Sequence, residues 1–233
     1  MNLFEQFKTA MPTNDQLVSA ACDTLLDSLD LDDVKTSFST LVEKLHDQIY
    51  DDYLIAQSDT GDQLISQHFS HRVPSFDDLD RFFLSVAQSR KSRAGKAFEI
   101  ILEELLGRRL GYPMDRQVSV EGAKPDFVMP SSMYFDKNPL DCMLLTVKRT
   151  LRERWRQVVT EANVTYSYFL ATLDNKVTQS QLNQAEKHKI YVVTTKTNIG
   201  QIEHYDKAGN VISFEEFITL HLDPAMKRWG LNS

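Results

Sequence analysis

Cysteine is scarce in this chain, with two in 233 residues. Cys22 and Cys142 lie far apart and form no ligand spacing, so they read as reduced core residues of an intracellular, cytoplasmic protein. Long apolar runs are also lacking. None approaches the roughly 20 residues needed to span a bilayer. The first residues, Met1 to Lys8, show no basic start followed by an apolar block, so no signal peptide is expected. The six histidines are scattered, and only His68-x-x-His71 has a spacing that helical neighbours share. Without further ligand-type residues nearby, that pair does not predict zinc. Internal repeats and low-complexity segments are missing as well. What remains is ordinary globular composition, 42% hydrophobic and 25% charged, and enough chain for one sizeable core with a helical appendage.

The net charge of −7 argues at first against a polyanionic partner, but its distribution does not. Residues 1–80 carry 4 Lys/Arg against 16 Asp/Glu, and the remainder carries 22 against 17. Two basic clusters stand out, Arg90-Lys91-Ser92-Arg93-Ala94-Gly95-Lys96 and Lys148-Arg149-x-x-Arg152-x-Arg154-x-Arg156. A local positive patch steers a polyanion even on an acidic protein, because screening makes surface potential local. The same clusters also fit two solvated helical faces.

Apolar spacing predicts helices over 3–10, 14–29 and 32–57, with Asn14 as an N-cap, and a short one over 60–70. After Pro74, Ser75 or Asp77 can cap a helix over 79–87. A strong helical face follows from Ser92 through Phe98, Ile101, Leu102, Leu105 and Leu106, ending at Gly107 or Gly111. The period then changes to two at Val118 and Val120, and again at Phe127 and Val128. Met143 to Val147 is almost wholly apolar, which predicts a central strand buried on both faces. Helices over 151–162 and 179–187, strands over 169–173 and 190–194, and a helix around 214–222 complete the pattern. This order predicts an α/β fold: a mixed sheet flanked by helices, with a helical subdomain over 1–75 and a core over 76–233.

The chemistry concentrates between Lys124 and Glu161. Asp126 follows Pro125 at the start of one strand, and Lys148 ends the next. A carboxylate that holds Mg²⁺ and a lysine that orients or deprotonates water suit phosphodiester hydrolysis. The usual companion acid, two residues before the lysine, is replaced by Thr146. Each residue also has a plainer reading. Asp126 can be a turn acid, Lys148 an exposed strand-end charge, and Glu99 a partner of Lys96 or Arg93. Thr150-Leu-Arg-Glu153 also reads as a helix capping box.

Arg93-Ala-Gly-Lys-Ala-Phe-Glu99, Lys124-Pro-Asp-Phe-Val-Met-Pro130 and Val147-Lys-Arg-Thr-Leu-Arg-Glu-Arg-Trp-Arg-Gln-Val-Val-Thr-Glu-Ala162 together resemble the type II restriction endonucleases of the EcoRII, PspGI and SsoII group. The resemblance covers about residues 75–195. It implies a restriction-endonuclease-like PD-(D/E)XK core, cutting of double-stranded DNA with Mg²⁺, and a homodimer. It implies Asp126, Lys148 and Glu161 as the catalytic residues, Asp126 and Glu161 as metal ligands, and Glu99 as an assisting acid. It further implies that Arg152, Glu153 and Arg154 read a CC…GG site in the major groove, which matches how arginine addresses guanine and glutamate addresses cytosine. Arg149 and Arg156 suit phosphate contacts, alongside Arg90 and Arg93, and Gln88 matches a position that approaches the minor groove. Some members flip the central base onto an aromatic side chain, for which the N-terminal helices offer several candidates. A separate N-terminal effector domain, as in EcoRII, is not expected in the roughly 75 leading residues. Two alternatives stand beside this reading: a structure- or repair-directed nuclease of the same fold, and a DNA-binding protein that has lost hydrolysis.

Overall fold

The computed structural model describes residues 2–71, 73–120, 124–151, 155 and 167–231. The chain divides into two compact units, Met1–Asp27 with Lys44–Ile100, and Ser28–Glu43 with Ile101–Ser233. This differs from a boundary at 75/76. Residues 28–43 go with the sheet because Val34, Phe38, Leu41 and Val42 are buried there, with Phe38 against Phe214 at 5.5 Å and Ser39 bonded to Glu215.

The first unit is helical. α1 (Leu3–Ala10) starts where the Asn2 side chain accepts the Glu5 N–H. α2 (Asn14–Leu26) starts one residue earlier than expected. Thr13 is its N-cap, closing a reciprocal box with Gln16, and Asn14 instead donates to the Arg93 carbonyl at 3.0 Å. The expected helix over 32–57 is split at Ser37 into α3 (Leu31–Thr36), which belongs to the second unit, and α4 (Phe38–His68), which also takes in the expected 60–70 segment and runs through Gly61. A helical glycine costs about 1 kcal/mol relative to alanine, which a long packed helix absorbs. α5 (Phe76–Leu102) likewise joins two expected segments, and Ser75 caps it by exchanging bonds with Asp78. The core of this unit holds Leu3, Phe7, Tyr53, Phe82 and Val86, with Phe7 edge-on to Phe82 at 5.5 Å.

The second unit contains a six-stranded sheet among the described residues. Its strands are β1 (Asp115–Arg116), β2 (Phe127–Met129), β3 (Met143–Val147), β4 (Ser167–Ala171), β5 (Ile190–Thr194) and β6 (Val211–Ser213), ordered as numbered. The β1–β2 and β2–β3 pairs are antiparallel, and the β3–β4, β4–β5 and β5–β6 pairs are parallel. A wide π-helical stretch, Glu103–Arg109, continues α5. The chain leaves it through Gly111 at φ +75°, a conformation that favours glycine. The edge strand lies at Asp115–Arg116 rather than at Val118–Val120, and Val120 makes an isolated bridge. β4 begins two residues before the expected strand.

Short helices fill the connections: α6 (Ser132–Phe135), α7 (Gln179–Lys187), α8 (Lys196–Gln201), α9 (Glu203–Asp206), α10 (Phe214–Glu216) and α11 (Asp223–Arg228). Every residue of β3 is buried, as expected of a central strand that is apolar except at Thr146. Alternate residues face opposite ways. Leu144, Tyr168, Leu170 and Val192 join Leu182 and Ala185 of α7 in one cluster. On the other side, Phe169 packs on Phe217 at 4.8 Å and on Tyr191 at 5.4 Å. The expected helix over 151–162 lies outside the described residues except at Leu151 and Trp155.

Candidate active site

The central pair forms where the β2–β3 ladder runs out. Its register ends at Phe127 opposite Leu145, and Pro125 has no N–H with which to extend it. The Val147 N–H goes instead to Asp126 Oδ2 at 2.7 Å. Lys148 keeps its main chain in the sheet, donating to the Ala171 carbonyl at 2.9 Å. Its Nζ turns back to the same Asp126 oxygen at 2.9 Å. Both side chains are 13% exposed. An acid and a lysine 22 positions apart in sequence are thus brought together at the ends of adjacent strands, partly open to solvent.

Thr146 lies between them in sequence, yet it is wholly buried. Its hydroxyl pairs with the Tyr168 hydroxyl at 2.7 Å. The position where an acid would be expected is therefore part of the core. Hard carboxylate oxygens are the ligands Mg²⁺ prefers, so Asp126 fits such an ion, with Glu161 as a candidate second ligand outside the described residues. Among the described residues, no group of three or more His, Cys, Asp and Glu side chains converges on a metal position.

Of the other predicted residues, Glu99 sits on α5 in the first unit and ion-pairs with Lys96, one of the partners its sequence allowed. Gln88 is exposed on the same helix. Arg93 donates to the Pro12 carbonyl at 2.6 Å and lies over the Tyr53 ring at 5.5 Å. That gives it a structural task within its own unit. Arg149 is half-buried. Arg152, Glu153, Arg154, Arg156 and Glu161 lie outside the described residues.

Three features carried no sequence signal. The first is a shallow cleft in the first unit, lined among others by His46, Tyr50, Tyr53, Arg90 and Arg93. Tyr53 is buried there, and its hydroxyl has no hydrogen-bond partner among the described residues. Burial raises its pKa, against the pull of Arg93 and Arg90. The second is Asp174, which accepts the Leu151 N–H at 2.7 Å. The third is Gln184, which accepts the Trp155 indole N–H at 2.6 Å.

Comparison with known proteins agrees with this geometry. The family described as EcoRII C terminal matches residues 56–218. The type II restriction enzyme SsoII of Shigella sonnei is 36% identical over 155 residues, 62% of this chain and 50% of that protein. The type II restriction enzyme EcoRII of Escherichia coli is 34% identical over 125 residues, 51% of this chain and 31% of that protein. The chain thus spans half the length or less of these relatives. Among solved structures, metal-depleted Ecl18kI in complex with uncleaved DNA superposes with a TM-score of 0.82 at 26% identity, over 99% of this chain and 84% of that one. The restriction endonuclease PspGI–substrate DNA complex gives 0.76 at 20% identity, over 97% and 96%, and supports the fold. No described helix is long and apolar enough to cross a membrane.

Proposed function

The chain belongs to the EcoRII C-terminal family, and we propose that it is a type II site-specific endonuclease hydrolysing double-stranded DNA at a short CC…GG site with Mg²⁺. The observation that carries this reading is the Asp126–Lys148 pair, held at 2.9 Å at the ends of β2 and β3. Asp126 and Glu161 would hold the ion, which when bound neutralises phosphate charge and lowers the pKa of water. Lys148 orients the attacking water as an ammonium, or accepts its proton as the neutral amine, and the Asp126 carboxylate, itself held by the Val147 N–H, fixes where its Nζ lies. Glu99 assists from α5.

Recognition falls to Arg152, Glu153 and Arg154, which immediately follow the catalytic strand. Arginine donates twice to guanine O6 and N7, and glutamate accepts from cytosine N4. Arg149, Arg156, Arg90 and Arg93 contribute positive charge towards phosphates, and Gln88 approaches the minor groove. The cleft beside Tyr50 and Arg90 would receive an extrahelical central base, a planar group suited to stacking between a ring and a guanidinium. A two-fold site cut on both strands is best served by a homodimer. The domain division at 75/76 we retain as a division of tasks, with the chemistry after it.

The test is incubation of supercoiled plasmid with the protein and Mg²⁺. Discrete fragments whose mapped ends share one CC…GG sequence are expected. Nicks or a smear would point to a structure- or repair-directed nuclease, and intact plasmid that is nevertheless bound to a DNA-binding protein without hydrolysis.

A further inference from the structure

We propose that Asp174 and Gln184 are positioning residues for Arg152-Glu153-Arg154 and set how strictly the site is discriminated. The inference rests on the reading of that triplet as the base-contacting element. Leu151 and Trp155 bracket the triplet, and both are buried, at 1% and 7% exposure, in the cluster shared by β3, β4 and α7. Each is also tied by a directed hydrogen bond from a residue distant in sequence.

At the first end the anchor is Asp174, itself buried. One carboxylate oxygen accepts the Leu151 N–H at 2.7 Å, and the other accepts the Lys176 N–H at 2.9 Å. Its own N–H donates to Thr172 Oγ1 at 3.0 Å. Its carbonyl accepts the Tyr205 hydroxyl at 2.7 Å. Burial pushes the Tyr205 phenol up to about 12, so it remains a donor at neutral pH. Independently of Leu151, Asp174 is therefore held through its other carboxylate oxygen, by Lys176, and through its main chain, by Thr172 and Tyr205.

At the second end, Gln184 projects from an exposed position on α7 and takes the Trp155 indole N–H. α7 does not need that bond to form, because Thr178 and Gln181 already cap it reciprocally. Bonds to base edges weaken steeply with misalignment. Two fixed points one residue beyond each end of a three-residue reader are what such tolerance demands. The catalytic lysine has its own tie, from its main chain to the Ala171 carbonyl. Loosening the anchors should therefore relax sequence choice more than it slows cutting.

The experiment uses the full chain and duplexes bearing the site mapped from wild-type cut ends, together with its single-base-pair variants. The readout is the ratio of kcat/KM on the site to kcat/KM on each variant, in Mg²⁺. Asp174→Ala and Gln184→Ala should each lower that ratio at C·G pairs by about tenfold or more. Gln184→Glu keeps an acceptor for the indole and should stay within about twofold of wild type. If Arg152→Ala changes the ratio but neither alanine variant does, the positioning role is wrong and the reading of the triplet stands. If Arg152→Ala also leaves the ratio unchanged, the reading itself fails and the inference with it. A Gln184→Ala enzyme slowed equally on every duplex would show a merely structural bond and overturn the proposal. Gln184 is exposed, so its pair of variants decides the matter even if Asp174→Ala does not fold.

Discussion

Thr146 and Tyr168 meet across the parallel β3–β4 pair with hydroxyl oxygens 2.7 Å apart, both side chains wholly buried. This contact makes the position two residues before Lys148 part of the core. Removing the Thr146 hydroxyl should therefore touch stability and not chemistry. Thr146→Val is expected to cost about 0.5–1.5 kcal/mol in denaturant unfolding and to leave Mg²⁺-dependent cleavage nearly intact. Thr146→Glu, which would restore the usual motif, buries a charge beside Tyr168 and should destabilise the fold instead. A cleavage defect in a fully folded Thr146→Val protein would return this residue to the site.

The missing ligand is expected at Glu161. Asp126→Ala and Glu161→Ala should lose cleavage by orders of magnitude, and Lys148→Ala by about 10²–10⁴-fold, while DNA binding in Ca²⁺ persists. Single-turnover cleavage at saturating protein measures this directly. Near-normal turnover in Glu161→Ala would remove that residue from the site.

Readout and backbone contact should separate by substitution. Arg152→Ala or Arg154→Ala should cost about 1–3 kcal/mol of discrimination at one C·G pair. Arg149→Ala should weaken binding to all sequences alike and flatten its dependence on salt. Competition binding against single-base variants at several salt concentrations distinguishes the two.

The cleft beside Tyr50 and Arg90 makes a spectroscopic prediction. A 2-aminopurine at the central pair should brighten as it leaves the stack, then be quenched by a tyrosine ring on capture. Tyr50→Ala should raise the bound-state fluorescence and weaken site binding by about 1–3 kcal/mol. Identical spectra for the variant and wild type would exclude Tyr50 as the stacking partner.

Asp115 supplies a dependence on acid. Ser132 donates to it through both N–H and hydroxyl, at 2.7 and 2.6 Å, which holds its carboxyl below the ordinary 3.8. With the folded value below the unfolded one, this tie stabilises the native state above 3.8 and is lost as pH falls through the lowered value. Asp115→Asn should therefore differ most from wild type near neutrality and converge with it in acid. Urea midpoints across that range provide the check.

Much of the fold was legible where periodicity was strong. β3, β5 and α7 form as their patterns predict because each buries a continuous run or a clean stripe. β1 and β6, at two and three residues, are too short to carry a period. The expected helices ending at 57 and starting at 60 join without a gap, because local spacing does not register a helix such as α4 that is buried at Leu41, Val42, Leu45, Ile49 and Tyr53. Past Ala171, the last residue of β4, Thr172 still donates its N–H to the Val193 carbonyl while its hydroxyl accepts the Asp174 N–H. Of the site, Asp126 and Lys148 were legible from residue type and flanking sequence. The bond from Leu151 to Asp174 was not, since it joins residues 23 positions apart with no local signature.

β3 and β4 are parallel neighbours, so the chain cannot turn back between them. It must climb from the end of one strand to the start of the next, which takes a dozen residues or more. The sequence between Val147 and Ser167 makes that connection, and the triplet proposed to read bases falls within it. Deleting or grafting this stretch would unthread the sheet. Divergence towards a new target sequence is thereby confined to exchanging side chains at constant length, and relatives with different targets should align here without gaps.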